Sequence, residues 1–323
     1  MILNRYYDPY AGFGDGRQWL KSQFHMHNTS VDEDGNYHET LDGMAEFFQE
    51  YKDSDYQIVA HATHNNWFDT SHLDAEIGIR SFNNEEYVDY DGLLLVGSKS
   101  AHRGEPQEVL DAAVAEGAFV VICHPNQNPE LTKAVPGVIP PLLSKEVARE
   151  LVGAVGVEVY AGCHARRHWD GIGFGLGLAT DFWDEELSRG RLLWGFGVDD
   201  SHQGYEVNVG WTEILAASDD FETVKAAVKA GSLVASRGMR LLGWEFDGGT
   251  LRVEADLPYF RANRTEYRFI GEGGRVLHSE EGAVGQYQLS GDELYVRVEA
   301  RNADGSILWT QPLLDRARFD MND

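Results

Sequence analysis

Hydrophobic residues in the first two-thirds of the chain alternate between short apolar runs and amphipathic stretches with helical spacing. The clearest example is PQEVLDAAVAEG, in which Pro106 suits the first position of a helix and Gly117 suits its C-terminal cap. The apolar, β-branched run AFVVIC follows directly and is typical of a strand buried on both faces. This order predicts a helix followed by a buried strand that ends at His124.

The same order recurs along the chain and then stops. It is found in SKEVARELVG before AVGVEVYAG, in EELSRG before RLLWGFGVDDSH, and in DDFETVKAAVKAG before SLVASRG. Beyond about Gly238, period-two segments such as LRVEADL, TEYRFIG and ELYVRVEA predict antiparallel strands separated by turns. The pattern therefore predicts an α/β domain over residues 1–237, followed by a small antiparallel β-sandwich over residues 238–323.

Charge and composition narrow the class of protein. The chain has 323 residues, 42% of them hydrophobic and 25% charged, and its formal net charge is −26. A field of this sign repels nucleic acid and anionic membranes, so we expect neither as a partner. A small anionic substrate stays compatible, because metal ions reverse the field inside a pocket. The sequence leaves self-association as a homo-oligomer open.

The cysteines and the N-terminal sequence bear on the cellular compartment. Neither Cys123 nor Cys163 belongs to a CxxC pair, so no disulfide framework is predicted, and both suit small buried positions. The N-terminal segment lacks the basic and apolar regions of a signal peptide, and no long apolar stretch follows. We therefore expect a cytoplasmic protein.

Eleven of the twelve histidines lie in the first 202 residues, which places the chemistry in the first predicted domain. His25 and His27 point to the same side of an extended segment, so both imidazoles can reach one metal ion. Further polar residues each follow a predicted apolar strand: His64, His124, Asp200 and His202. Because α/β barrels place their sites at the C-terminal ends of strands, this repetition predicts a metal site.

These motifs resemble the polymerase and histidinol phosphatase (PHP) family, in its branch with a C-terminal β-sandwich. The matching residues are His25 and His27, Asp34-Gly35, His64-Asn65, His124-Pro125, Glu158-Val159-Tyr160, Asp200 with His202, and Trp309. The resemblance implies a distorted (β/α)7 barrel that holds one to three divalent ions, which would be zinc, manganese or iron. The implied ligand sets are His25, His27 and Asp200 for one ion, His64 and His202 with Asp34 for another, and His124 with His102 for a third.

Two positions depart from the family's pattern. Thr63 stands where the family has an aspartate, and Lys99 stands where the family has the glutamate that bridges two ions. An ammonium group cannot bridge cations, so three interpretations of Lys99 are open. In the first it points away and Glu105 supplies the carboxylate, in the second it has displaced an ion and binds the anionic group of the substrate, and in the third it is carboxylated.

The leading interpretation is a metal-dependent hydrolase in which a metal-activated water attacks a small phosphate ester. The candidate catalytic residues are Lys99 and Asp200. The candidate substrate contacts are Lys99, Arg103, Glu158 and Arg166, and a guanidinium group suits a phosphate because it can donate two parallel hydrogen bonds. The alternatives are a carbamate or carboxylic ester hydrolase, and an inactive binding module of the same fold, which Thr63 and Lys99 motivate.

Overall fold

The structure is a computed structural model that describes most of the chain. The described residues are 5–31, 37–39, 43–87, 92–126, 145–163, 177–202, 204–256 and 264–319. Two predicted site residues, Asp34 and Arg166, lie outside these ranges. The helices are α1 (Met44–Asp53), α2 (His72–Ile77), α3 (Pro106–Glu116), α4 (Lys145–Glu150), α5 (Thr180–Ser188) and α6 (Phe221–Lys229). No helix in the described ranges has the length and apolar character needed to span a membrane.

The strands fall into an N-terminal and a C-terminal series. The first series is β1 (Tyr6–Tyr7), β2 (Gln18–Met26), β3 (Thr29–Val31), β4 (Tyr37–Glu39), β5 (Ile58–His61), β6 (Arg80–Asn83), β7 (Glu86–Tyr87), β8 (Leu93–Val96), β9 (Phe119–Ile122), β10 (Gly156–Ala161), β11 (Trp194–Val198), β12 (Trp211–Ala216) and β13 (Leu233–Arg237). The second series is β14 (Arg240–Asp247), β15 (Thr250–Asp256), β16 (Thr265–Gly271), β17 (Arg275–Gly282), β18 (Gly285–Gln288), β19 (Tyr295–Arg301), β20 (Ile307–Thr310) and β21 (Leu313–Asp315).

Helix α3 forms where the sequence pattern predicts it. Pro106 is its first residue, Glu105 and Glu108 form a capping box, and Gly117 ends it with a φ of 101°. Strand β9 follows at once, and all four of its residues are buried. The predicted order of a helix and then a buried strand is confirmed here.

Two sheets carry the N-terminal part of the fold. In the larger one β2, β5 and β6 run parallel, and in the smaller one β9, β10 and β11 run parallel. Isolated backbone hydrogen bonds join the two sheets at two seams. At one seam Gly97 N–H donates to the carbonyl of Asn83 at 2.7 Å, and at the other Asp200 N–H donates to the carbonyl of His25 at 2.9 Å. The result is a mixed α/β fold, as predicted at this coarse level.

The expected (β/α)7 barrel is not present in the described residues. β8 runs antiparallel to both β7 and β9, although a regular barrel needs parallel neighbours throughout. The ladders of the two sheets also stay separate at both seams. Helix α3 therefore connects two strands of opposite direction, and the barrel is neither regular nor closed.

The C-terminal third forms two antiparallel layers. β14, β15 and β18 make a three-stranded sheet. A shared hydrophobic core, which includes Trp244, Val253, Phe269 and Val298, joins it to the part of the larger sheet that contains β16 and β19. This arrangement has the layers of the predicted sandwich.

The larger sheet also continues across the predicted boundary between residues 237 and 238. Strand β13 pairs with β20 from Val234–Thr310 to Arg237–Ile307. The division into two domains at this boundary stays a prediction.

Candidate metal centre

The site lies at the C-terminal end of β2. The N-terminal half of this strand pairs with β12, and the C-terminal half pairs with β5. Beyond the first residues of β12, residues 200 and 201 lie beside β2 in its place: Asp200 N–H donates to the carbonyl of His25 at 2.9 Å, and His27 N–H donates to the carbonyl of Ser201 at 2.7 Å. This exchange of neighbours places Asp200 beside the two histidines of the HxH motif.

Glu86 lies at the centre of the imidazoles. Its Oε2 is 3.3 Å from Nε2 of His25, 3.2 Å from Nε2 of His27 and 2.9 Å from Nε2 of His64. Its Oε1 is 3.4 Å from Nε2 of His124. The side chain of Glu86 is 3% exposed, so water does not screen these contacts. One buried carboxylate therefore faces four imidazoles.

The other predicted ligands surround the same point. Oδ1 of Asp200 is 3.5 Å from Nε2 of His25 and 3.6 Å from Nε2 of His27. The ring of His27 stacks on those of His64 and His202, whose centroids are 4.2 and 4.6 Å away. In each of two groups the ligand atoms lie within 4.8 Å of one another: His25, His27 and Asp200, and His27, His64 and His202. The structure thus brings together six of the predicted ligands.

A second carboxylate, Glu158, orients two of these ligands. Its Oε1 accepts a hydrogen bond from Nδ1 of His25 at 2.7 Å, and its Oε2 accepts one from the backbone N–H of His124 at 2.8 Å. In the neutral ring, a proton on Nδ1 leaves the lone pair on Nε2, the atom that faces Glu86 and that would bind an ion. Glu158 is buried and both of its oxygens accept these hydrogen bonds, and a contact between Glu158 and a substrate stays a prediction.

Burial and charge oppose each other within the cluster. Burial alone would lower the pKa of His25, but the carboxylates of Glu158, Asp200 and Glu86 hold that pKa well above its usual range. Burial alone would raise the pKa of Glu86, but the imidazoles of His25 and His64 hold it well below its usual range. The cluster therefore stabilises positive charge at its centre.

The donor atoms fit a divalent metal ion. Nε2 of His25 and Nε2 of His27 are only 3.0 Å apart, and Oε2 of Glu86 is buried without a hydrogen bond. Two imidazole lone pairs and a carboxylate at this spacing repel one another unless protons or a cation lie between them. Nitrogen and oxygen donors of this kind suit zinc, manganese or iron. His25, His27, Asp200 and Glu86 would hold such an ion.

Lys99 lies outside this set of contacts. Its side chain is exposed, and its backbone N–H donates to Glu116 of α3 at 2.8 Å. Glu105, the carboxylate proposed to replace it, is the N-cap residue of α3. The buried carboxylate that faces the imidazoles belongs to Glu86. A contact between Lys99 and a substrate, and its catalytic role, stay predictions.

His102 and Arg103 form a separate group beside the cluster. Nδ1 of His102 is 3.0 Å from Oε2 of Glu85, and its Nε2 is 3.6 Å from Oε1 of Glu116. Nη1 of Arg103 donates to Oε1 of Glu85 at 3.2 Å. Within the described ranges, the ligand group around His124 does not contain His102. The third ion expected between His102 and His124 therefore lacks this support.

Sequence reasoning missed three glutamates of the site. Glu86 supplies the carboxylate at the centre of the imidazoles, and Glu85 contacts His102 and Arg103. Glu206 accepts a hydrogen bond from the backbone N–H of His202 at 2.6 Å. A signal for two of them was present, because Glu85 and Glu86 come directly after IGIRSFNN, an alternating segment that contains β6. The family pattern directs attention one strand further, to Lys99.

Comparisons with known proteins are sparse. No family model matches the sequence, and no curated protein matches it. Among solved structures, the chain is similar to a two-domain protein containing a predicted PHP-like metal-dependent phosphoesterase from Bacteroides vulgatus. That alignment covers 93% of this chain and 96% of the other, with 15% identity and a TM-score of 0.47.

A second solved structure is more distant. It is the lesion-specific endonuclease PfuEndoQ from Pyrococcus furiosus, and the alignment covers 66% of this chain and 56% of that protein. The identity is 12% and the TM-score is 0.38.

Proposed function

We propose that this chain is a metal-dependent hydrolase that acts on a small phosphate ester. The observation that carries the proposal is the buried carboxylate of Glu86, which meets the Nε2 atoms of four histidines at 2.9 to 3.4 Å. Metal ions bound there would act as Lewis acids and lower the pKa of a bound water. Donors arranged in this way around one carboxylate have no evident purpose in a purely structural core.

The residues of the cluster have separate tasks in this proposal. Glu86 presents both of its oxygens, Oε2 toward His25, His27 and His64 and Oε1 toward His124, so it can be shared between two ions. Asp200 adds a carboxylate on the side of the HxH motif. None of these tasks requires Lys99.

The charge of the molecule favours a small substrate over a polymer. At −26, the chain as a whole repels polyanions, and only bound cations and nearby arginines would make the site attractive to phosphate. A polyanionic strand would meet the repulsive surface over its whole length, whereas a small ester meets only the site. The absence of a nucleic-acid substrate stays a prediction on this ground.

The inactive binding module loses its main motive under this proposal. Lys99 suggested a decayed site because it occupies the position of the bridging glutamate in the family pattern. Glu86 supplies a carboxylate at the centre of the histidines, so the ligand set has both its imidazoles and its shared anion. A cluster with this composition supports catalysis.

Replacement of Glu86 by Gln tests the proposal directly. The variant keeps the size of the side chain and removes the charge that compensates two cations, so metal content per chain should fall and turnover of a phosphomonoester should drop by more than about a hundredfold. Elemental analysis and a steady-state assay on the same preparation measure both quantities.

Glu105→Gln is the matched control. Glu105 is the exposed N-cap of α3, and it was the carboxylate that sequence reasoning put forward. Its replacement should leave metal content and turnover at the wild-type level. Full activity of Glu86→Gln together with loss of metal from Glu105→Gln would sink the assignment of the central carboxylate.

A further inference from the structure

Glu85 is a second buried carboxylate, next in sequence to the one at the centre of the cluster. It is fully buried, and its Oε2 accepts hydrogen bonds from the backbone N–H of His102 at 2.8 Å and faces Nδ1 of the same residue at 3.0 Å. Its Oε1 accepts a hydrogen bond from Arg103 at 3.2 Å. A buried carboxylate is costly to leave without partners, so these contacts fix the loop that carries Arg103.

Arg103 is held at one edge and open at the other. Nη1 donates to Glu85 and to the carbonyl of His102, and Nη2 donates to the carbonyl of Asn65. A guanidinium has five N–H donors, so within the described residues Nε–H and one Nη2–H have no partner. Nε and Nη2 form the adjacent pair that binds two oxygens of one phosphate group. The side chain is 54% exposed, which leaves this pair accessible.

The anchor of Arg103 is connected to the metal ligands. Asn65, which accepts from Nη2, directly follows His64, and its own backbone N–H donates to the carbonyl of Glu86 at 2.9 Å. The guanidinium is therefore tied to the same turn that presents His64 to the cluster. In a chain with a net charge of −26, a cation fixed at this place opposes the repulsion of an anionic substrate.

We propose that Arg103 binds the phosphate group of the substrate, and that Glu85 is the positioning residue that holds the guanidinium for this contact. The inference rests on the proposed function and deepens it by naming the substrate class as a phosphomonoester. A monoester carries three non-esterified oxygens and a diester carries two, so the monoester retains oxygens for the Arg103 pair in addition to those directed at bound ions. Arg103 then selects monoesters over diesters.

Binding of inorganic phosphate to the metal-loaded full chain tests the contact without turnover. Calorimetric titration should show that Arg103→Ala weakens phosphate binding by about tenfold to a hundredfold, because a charge-assisted pair of hydrogen bonds is lost. Arg103→Lys, which keeps the charge without the planar pair, should fall between the wild type and Arg103→Ala. Arg80→Ala is the matched control, since Arg80 is also half-exposed and paired with acidic residues, Asp74 and Asp219.

A double-mutant cycle tests the role of Glu85. If Glu85 acts through Arg103, Glu85→Gln weakens phosphate binding in the wild-type background and adds nothing in the Arg103→Ala background. A merely structural role would lower the affinity by the same factor in both backgrounds, and that result overturns the positioning role. Glu85→Asp, which keeps the charge and shortens the reach, replaces Glu85→Gln if the amide variant does not fold.

Kinetics with 4-nitrophenyl phosphate and its bis-ester separate this inference from the proposed function. Arg103→Ala should raise KM for the monoester by at least about tenfold with a smaller change in kcat, and should change the diester constants little. Phosphate binding or monoester KM equal to the wild type in Arg103→Ala overturns the inference alone. A wild-type protein that binds phosphate through Arg103 but hydrolyses neither ester overturns the proposed function and leaves the phosphate contact standing.

Discussion

Glu158 determines which nitrogen of His25 can bind an ion. Because its Oε1 accepts a hydrogen bond from Nδ1–H, the lone pair of the neutral ring lies on Nε2, which faces Glu86. The other oxygen fixes the backbone at His124. One buried side chain thus orients ligands that come from two different strands.

Glu158→Gln should weaken metal binding without unfolding the protein. The amide can still accept one hydrogen bond but loses the negative charge that favours the required tautomer, so metal affinity should fall by about tenfold to a hundredfold. Competition with a chromophoric chelator measures the affinity. Glu299→Gln, a buried glutamate that accepts from Trp309 at 2.9 Å in the C-terminal layers, is the control. Equal affinities in the two variants would contradict this role of Glu158.

The positions of His64, His124 and His202 were predictable because each follows an apolar run, and those of His25 and His27 because they point to the same side of an extended segment. Glu86 follows the alternating segment of β6, but it was missed because it belongs to a two-residue strand and the family pattern places the carboxylate at Lys99 instead. The partners of Glu85 could not be predicted from the sequence either, because the contact with Arg103 spans 18 positions and depends on how the loop after β8 folds back. Tertiary contacts of this kind leave no local pattern.

At the scale of elements, β2 combines two environments in one strand. His25, in its C-terminal half, faces the cluster. Lys21, in its N-terminal half, is buried between aromatic rings. Nζ of Lys21 lies 4.1 Å from the ring centroid of Tyr56 and 4.4 Å from that of Trp211, and donates to Asn208 at 2.7 Å. Burial lowers the pKa of Lys21 to about 8, against the opposing effect of the nearby carboxylates.

This lysine should make stability depend on alkaline pH. The folded state releases the proton near pH 8 and the unfolded chain near pH 10.5, so the unfolded chain binds more protons between these values. The free energy of unfolding of the wild type should therefore rise from about pH 8 to about pH 10 relative to that of Lys21→Met. Urea unfolding across this range measures the difference, with Lys52→Met as an exposed control. If the difference in the free energy of unfolding between wild type and Lys21→Met does not change with pH, the lowered pKa of Lys21 is refuted.

The helix and strand order was largely readable because it depends on local signals such as Pro106, Gly117 and the buried run of β9. The direction of β8 was not, since an apolar run looks the same whichever way it pairs. The antiparallel pairing of β8 with β9 is what separates the observed fold from the predicted barrel. Strand polarity is decided by the geometry of the connection, which the sequence pattern does not encode.

At the scale of the whole molecule, the N-terminal and C-terminal parts share one sheet and a buried ion pair. Arg297 of β19 is 2% exposed and donates to Asp184 of α5 at 2.6 Å. The side chain of Gln311 donates to the carbonyl of Gly195 in β11 at 2.8 Å and accepts its N–H at 2.7 Å. These contacts are buried, so separating the two parts would expose charged and polar groups that are paired across the junction.

Residues 1–237 expressed alone should therefore not fold cooperatively. Truncation leaves the edge of β13 without β20 and leaves Asp184 buried without its arginine, and losing one partner of a buried pair alone costs about 3 to 5 kcal/mol. Thermal unfolding followed by circular dichroism, together with light scattering, tests this. A chain nicked before the exposed Gly248, between β14 and β15, is the control. A truncated chain with a sharp thermal transition and wild-type metal content would contradict this prediction and would show that residues 1–237 fold as an independent domain.

The pairing of β1 with β21 has a consequence for the order in which the protein takes shape during synthesis. Tyr6 and Tyr7 pair with Asp315 and Leu314, and Arg5 binds the same aspartate across 310 positions. At about 5 to 20 residues per second, a ribosome needs roughly 15 to 60 s to make the partner strand. Throughout that interval, the nascent β1 has a free edge that chaperones or neighbouring nascent chains can reach. Strand β1 can thus pair with β21 only after almost all of the residues between them have been made.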